Sequence, residues 1–152
     1  MQELKRILLV EDNLHDVELT LAALEENYLA NEVVVVRDGQ QALDYLYRRG
    51  IFKLRLEGHP VVVLLDLKLP KVDGLEVLAK LKSDPQLKRV PVVMLTSSRE
   101  EQDLIKSYDL GVNAYVVKPV DFHEFVDVIK QLGLFWAVVN QPPPGSMPPV
   151  RQ

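Results

Sequence analysis

With 152 residues, 47% of them hydrophobic and 26% charged, the chain has room for one core and the balance of a soluble globular domain, which excludes a disordered or fibrous polymer. A formal net charge of -4 argues against a phosphate-tracking surface, so no nucleic-acid partner is expected. Cysteine is absent, which excludes disulfides, iron–sulfur clusters and cysteine-bound zinc, and no apolar run approaches membrane-spanning length, so a cytoplasmic chain with no membrane partner is expected.

In chain order, the first apolar run is Ile7–Val10, ending in two acids, Glu11 and Asp12. Short, continuous, Val/Leu-rich runs of this kind are expected of parallel strands buried on both faces. Asn13 with Asp16 then marks a helix start, and Leu14, Val17, Leu21, Leu24 and Tyr28 repeat as one apolar stripe while Glu18, Glu25 and Glu26 face elsewhere. A second run, Val33–Val36, precedes a helix capped by Asp38 with Gln41. From Arg48 to Pro60 the chain is polar and basic, with Arg48, Arg49, Lys53 and Arg55, and is expected to be a solvated surface insertion.

The third run, Val61–Leu65, delivers Asp66 into loop chemistry, and Asp73 with Glu76 opens the next helix. The fourth, Val90–Leu95, is interrupted by Pro91 and leads to Thr96, Ser97 and Ser98, with Ser98 and Glu101 as a further cap. The fifth, Ala114–Val117, ends in Lys118–Pro119 before a helix capped by Asp121 with Glu124. That helix is expected to run on: Phe122, Phe125, Val126, Ile129 and Trp136 share a stripe, and Leu134, Phe135, Val138 and Val139 widen the apolar surface beyond one packing face. Gly133 is compatible with a continuous helix or with a break. The domain is placed at residues 1–140, and the proline-rich tail at 141–152 is expected to be extended or disordered.

Five strands alternating with five helices imply parallel βαβ units in an open α/β sandwich, for which the common order of five strands is 2-1-3-4-5. Ligands in such sheets bind beyond the carboxyl ends of the strands, where this chain places Glu11, Asp12, Asp66, Thr96 and Lys118. Neighbouring carboxylates repel by about 4 kcal/mol per pair at 4 Å in an effective dielectric of 20, so a cation is required. Oxygen ligands with room for water and phosphate favour magnesium, and none of His15, His59 and His123 has a partner at zinc-ligand spacing. A carboxylate beside magnesium is a competent nucleophile toward phosphorus, with Lys118 balancing charge and Thr96 donating a hydrogen bond.

The segments LLVEDN, LLDLKLPKVDG, VVMLTSS and AYVVKP together resemble the receiver domain of two-component response regulators over nearly all of residues 5–132. The resemblance implies a flavodoxin-like (βα)5 three-layer sandwich with Asp66 as phosphoacceptor. It further implies Asp12 and Asp66 as direct magnesium ligands, Glu11 acting largely through water, and the Lys68 carbonyl as another ligand. Thr96 is then the switch hydroxyl, Tyr115 the switch aromatic and Lys118 the conserved-type lysine, with a cis Lys118–Pro119 bond. Ser97 stands where alanine is often found, which bears on access to Asp66. In its Phe135–Trp136 extension, its long Arg48–Pro60 link and its short proline-containing tail, the chain is also similar, on fewer residues, to the stand-alone regulators that accompany bacterial, especially cyanobacterial, phytochromes. That narrower similarity implies a phytochrome-type sensor histidine kinase as partner and a homodimer through the last helices and strand, with Phe135 and Trp136 in the interface.

Two competing classes fit the residues less well. A haloacid-dehalogenase-type enzyme wants a second acid two residues after the nucleophile, where this chain has Lys68, and a dinucleotide-binding module wants a glycine-rich first turn, where it has EDNLHD. A receiver-like interaction module without phosphoryl turnover is the remaining alternative. The expected activity is self-phosphorylation from a phosphohistidine or acetyl phosphate followed by slow hydrolysis, not conversion of an external metabolite.

Overall fold

Val, Ile and Leu in unbroken runs suit strands with no solvent face, and the computed structural model, which describes residues 6–26 and 33–146, contains five. They are β1 (Ile7–Val10), β2 (Val33–Val36), β3 (Val62–Leu65), β4 (Val92–Thr96) and β5 (Ala114–Val117), all parallel in the order β2-β1-β3-β4-β5. Between them lie α1 (Leu14–Glu26), α2 (Gly39–Tyr47), α3 (Gly74–Ser83), α4 (Glu101–Asp109) and α5 (Phe122–Gly133). The strand order and alternation are those expected of the flavodoxin-like sandwich.

Successive strand residues point to opposite faces, so the sheet builds two cores. Leu8, Val10, Val63, Leu65 and Met94 pack with Leu46 of α2 and Leu78 of α3. Ile7, Leu9, Leu64 and Leu95 pack with Leu24 of α1 and Phe125 and Ile129 of α5. Four of the five expected caps form: the side chains of Asn13, Asp38, Asp73 and Asp121 accept from the backbone N–H of Asp16, Gln41, Glu76 and Glu124 at 2.8–3.1 Å.

The fifth does not. The N-cap of α4 is Glu100, with no side-chain capping bond, because the Ser98 hydroxyl is turned inward to the Asp103 carboxyl at 2.6 Å. In α1 the expected stripe is shifted: Val17 and Leu24 are buried, but Leu14 is 59% exposed and Thr20 and Ala23 take inward positions, while Tyr28 lies outside the described residues. β4 begins after Pro91, which has no N–H to give the ladder.

The basic link after α2 is more built than expected. Arg55 lies over the Tyr45 ring at 4.2 Å and donates to the carbonyls of Tyr45, Leu56 and Gly58. Its planar guanidinium can satisfy several carbonyls at once, so Arg55 pins the loop while Arg48, Arg49 and Lys53 remain exposed. At the far end of the chain Gly133 does not break the helix, which continues as a π-helical segment over Leu134–Val139. Residues 141–146 then fold back, His59 N–H donating to the Gly145 carbonyl at 2.8 Å and Ser146 becoming buried, so this part of the tail is docked. No described peptide bond is cis, so Lys118–Pro119 is trans, against expectation; the two forms of an X–Pro bond differ by only about 0.5–1 kcal/mol and local packing decides between them.

Candidate phosphoacceptor and metal site

Parallel register brings the acids level. Val10 pairs with both Val36 and Leu65, so Glu11 and Asp66, each one residue further, leave the sheet side by side. Their backbone N–H groups donate to the Val36 and Val10 carbonyls at 3.0 and 3.1 Å, which fixes where both side chains start. Across β4, Thr96 pairs with Val117, and Lys118 N–H donates to the Thr96 carbonyl at 2.7 Å. A Cβ on Gly74 would fall 2.2 Å from the Asp66 carbonyl oxygen, so only glycine lets the start of α3 press against the end of β3.

Lys118 is the hub. Its ammonium donates to Glu11 Oε1, donates to Asp16 Oδ2 at 2.9 Å and lies 3.5 Å from Asp66 Oδ2, with 9% of its side chain exposed. Burial pulls the ammonium down, but the hydrogen bonds to Glu11 and Asp16 and the charges of Asp66 and Glu11 outweigh it and hold the group up to about 12. For Glu11 burial wins: with the Asp66 charge it pushes the carboxyl up to about 7, against the pull of Lys118.

One ammonium therefore faces three acids, and the surplus negative charge is what a bound cation would relieve. Glu11, Asp12 and Asp66 each present a carboxylate oxygen within 4.8 Å of the others. Glu11 and Asp66 are held at the strand ends, whereas Asp12 is exposed and its carbonyl accepts from Arg37 at 2.7 Å. Hard oxygen donors with one side open to solvent fit a divalent ion such as magnesium that keeps several waters. His15 and His123 are exposed.

Thr96 is buried, and its hydroxyl oxygen accepts from Ser98 N–H at 3.2 Å. Tyr115 is half-buried and donates its hydroxyl to the Ser98 carbonyl at 3.1 Å. Lys68 lies in the bend two residues beyond Asp66 with its side chain exposed. Phe135 and Trp136 stand apart from the acids. Their rings meet edge to face at 5.0 Å, and with Ala114, Val116, Val128 and Leu132 they line an open groove of about 560 Å³ beside edge strand β5.

Asp16 is the site residue that sequence reasoning assigned only to a helix start. The available signal was an acid in the first turn of α1, directly after the acidic end of β1.

The sequence pattern of the family described as "Response regulator receiver domain" matches residues 7–130. The chain belongs to that family. A similar curated protein is "Response regulator Rcp1" from Synechocystis sp., 41% identical over 132 residues that span 87% of this chain and 88% of the relative. The Mn(2+)-bound form of Rcp1 superposes with a TM-score of 0.85 at 40% identity, covering 91% of this chain and 99% of the other. The phosphorylated cyanobacterial phytochrome response regulator RcpA superposes with a TM-score of 0.86 at 45% identity, covering 91% and 98%. The bacteriophytochrome response regulator RtBRR is 68% identical, with a TM-score of 0.74 over 94% of this chain and 86% of the other. Receiver domains bind magnesium or manganese at an acidic pocket, and this receiver carries such a pocket in Glu11, Asp12 and Asp66.

Proposed function

We propose that the chain is a single-domain response regulator, residues 1–140 forming the receiver, that takes a phosphoryl group on Asp66 from a sensor histidine kinase. The observation that carries this reading is the Lys118 ammonium fixed between Glu11, Asp16 and Asp66 at the mouth of the parallel sheet. A carboxylate oxygen of Asp66 attacks phosphorus; the P–O bond forms as the P–N bond of the phosphohistidine breaks, and the imidazole leaves. A magnesium ion on Asp12 and Asp66, with the Lys68 carbonyl and water-mediated Glu11, would offset charge on the transferring oxygens. Lys118 balances the negative charge on the phosphoryl oxygens, and the Thr96 hydroxyl donates to one of them. Attack of water on phosphorus then releases inorganic phosphate and restores the Asp66 carboxylate.

Relatives named as phytochrome response regulators support a phytochrome-type kinase as the donor. The new charge and acceptor oxygens at Asp66 draw Thr96 inward, Tyr115 follows, and the α4–β5–α5 surface is the output. The exposed Phe135 and the groove beside β5 support a homodimer through Phe135 and Trp136. A cytoplasmic location suits such a partner, and among the described residues no helix is long and apolar enough to cross a membrane.

Incubation with a phosphorylated phytochrome-type kinase tests the reading: label should move to the native chain and not to Asp66→Asn, while sedimentation should find Phe135→Ala/Trp136→Ala monomeric. Label retained on the kinase with both chains, or a variant still dimeric, would count against the donor and the interface respectively. The alternative, an interaction module without turnover, predicts no transfer from any phosphodonor.

A further inference from the structure

The helix α4 is held to the body in an unusual way. Its buried residues are Asp103 and Ser107, both polar, while Leu104, Ile105 and Tyr108 are exposed. An apolar inward face holds a helix by area and tolerates sliding, whereas a polar one holds it by a few directional bonds. Asp103 is only 8% exposed, and its carboxyl receives the Ser98 hydroxyl at 2.6 Å, a short, strong bond. The Ser107 hydroxyl, fully buried, donates to the Asp103 carbonyl at 2.8 Å and ties the next turn to the same residue.

Ser98 is also where the two expected switch residues meet. Its N–H donates to the Thr96 hydroxyl oxygen at 3.2 Å, and its carbonyl accepts from the Tyr115 hydroxyl at 3.1 Å. The hydroxyl that is given to Asp103 also accepts from Glu100 N–H at 3.3 Å, at the N-cap of α4. Donor, acceptor and side chain of one residue are thus each committed to a different part of the switch.

We propose that Ser98, clamped to Asp103, is the positioning residue that couples the place of Thr96 to the place of α4. This rests on the reading of Asp66 as phosphoacceptor. When the Thr96 hydroxyl turns toward the phosphoryl group it leaves the Ser98 N–H, Ser98 shifts, and the Ser98–Asp103 bond carries the N-terminal turn of α4 with it. Without that bond, Asp66 and Lys118 still hold the chemistry, but α4 has no buried apolar side chain through which to follow.

The test is hydrogen exchange of the α4 amides, Glu101 to Asp109, in the full chain with magnesium, before and after loading with acetyl phosphate, alongside intact mass. The native chain should take one phosphoryl group and change α4 exchange by about fivefold, the factor one net hydrogen bond supports. Ser98→Ala and Asp103→Ala, which remove the same bond from opposite ends, should still gain the adduct but change α4 exchange less than about twofold on loading. Asp103→Asn, whose amide oxygen still accepts, should behave like the native chain. Native-like α4 response in either alanine variant, or no α4 response in the native chain that carries the adduct, overturns the coupling. A native chain that takes no adduct from acetyl phosphate or from a histidine kinase overturns the phosphoacceptor reading beneath it.

Discussion

Lys82 and Lys118 are both drawn out of water, at opposite ends of the same sheet, and they meet opposite surroundings. Beside the start of β4, Lys82 donates to the Lys88 and Val90 carbonyls and to the Asn113 side-chain oxygen at 2.9–3.1 Å, and burial holds its ammonium below the ordinary range. At the carboxyl ends, Lys118 sits among Glu11, Asp16 and Asp66 and is held up to about 12. A lysine capping neutral carbonyls closes a backbone and has no charge to trade. A lysine outnumbered by carboxylates leaves a site that still attracts a cation and can rebalance when a phosphoryl group arrives. On the proposed function, chemistry belongs to the Lys118 end and architecture to the Lys82 end.

The strongest attempt to break the contrast is to remove each lysine in turn. Lys118→Ala should slow adduct formation from acetyl phosphate by about 100-fold, the usual loss when one preorganised electrostatic partner is deleted, as read by intact mass against time. A rate within a few-fold of native would return Lys118 to a structural role. Titration sharpens the contrast next. Glu11, raised from 4.5 to about 7, favours the folded state fully below pH 4.5 and loses that contribution as pH rises through about 7, while Lys118 stays protonated throughout. Urea unfolding of metal-free protein should therefore lose up to about 3 kcal/mol from Glu11 across that window, and saturating magnesium should flatten the loss. The smallest effect belongs to the other end: Lys82→Met should cost about 1–2 kcal/mol in urea unfolding, through carbonyls left without a donor, and leave the phosphorylation rate unchanged.

Much of this molecule is legible before any coordinate is known, because the signals are local. Five Val/Leu-rich runs became five strands with ends shifted by no more than two residues, and four caps of the Asx type formed where spacing placed them. Glu11, Asp12, Asp66 and Lys118 were legible as a group because parallel strands must align their carboxyl ends. What stayed hidden depends on distance in space. Ser98 reads as a helix cap until the buried Asp103 carboxyl is found opposite it, and Asp16 reads as a first-turn acid until Lys118 reaches it from β5. Arg55 in a basic run looks solvated until the Tyr45 ring is beneath it, and the docking of residues 141–146 depends on His59, more than eighty positions earlier. Local composition carries none of these partners.

The most direct test of the central claim is the intact mass of the native chain and of Asp66→Asn after incubation with acetyl phosphate, with and without magnesium. A single phosphoryl adduct on the native chain, absent from Asp66→Asn and absent without magnesium, is the predicted result. An adduct of equal yield on Asp66→Asn, or one indifferent to magnesium, would contradict the assignment of this acidic site as the phosphoacceptor.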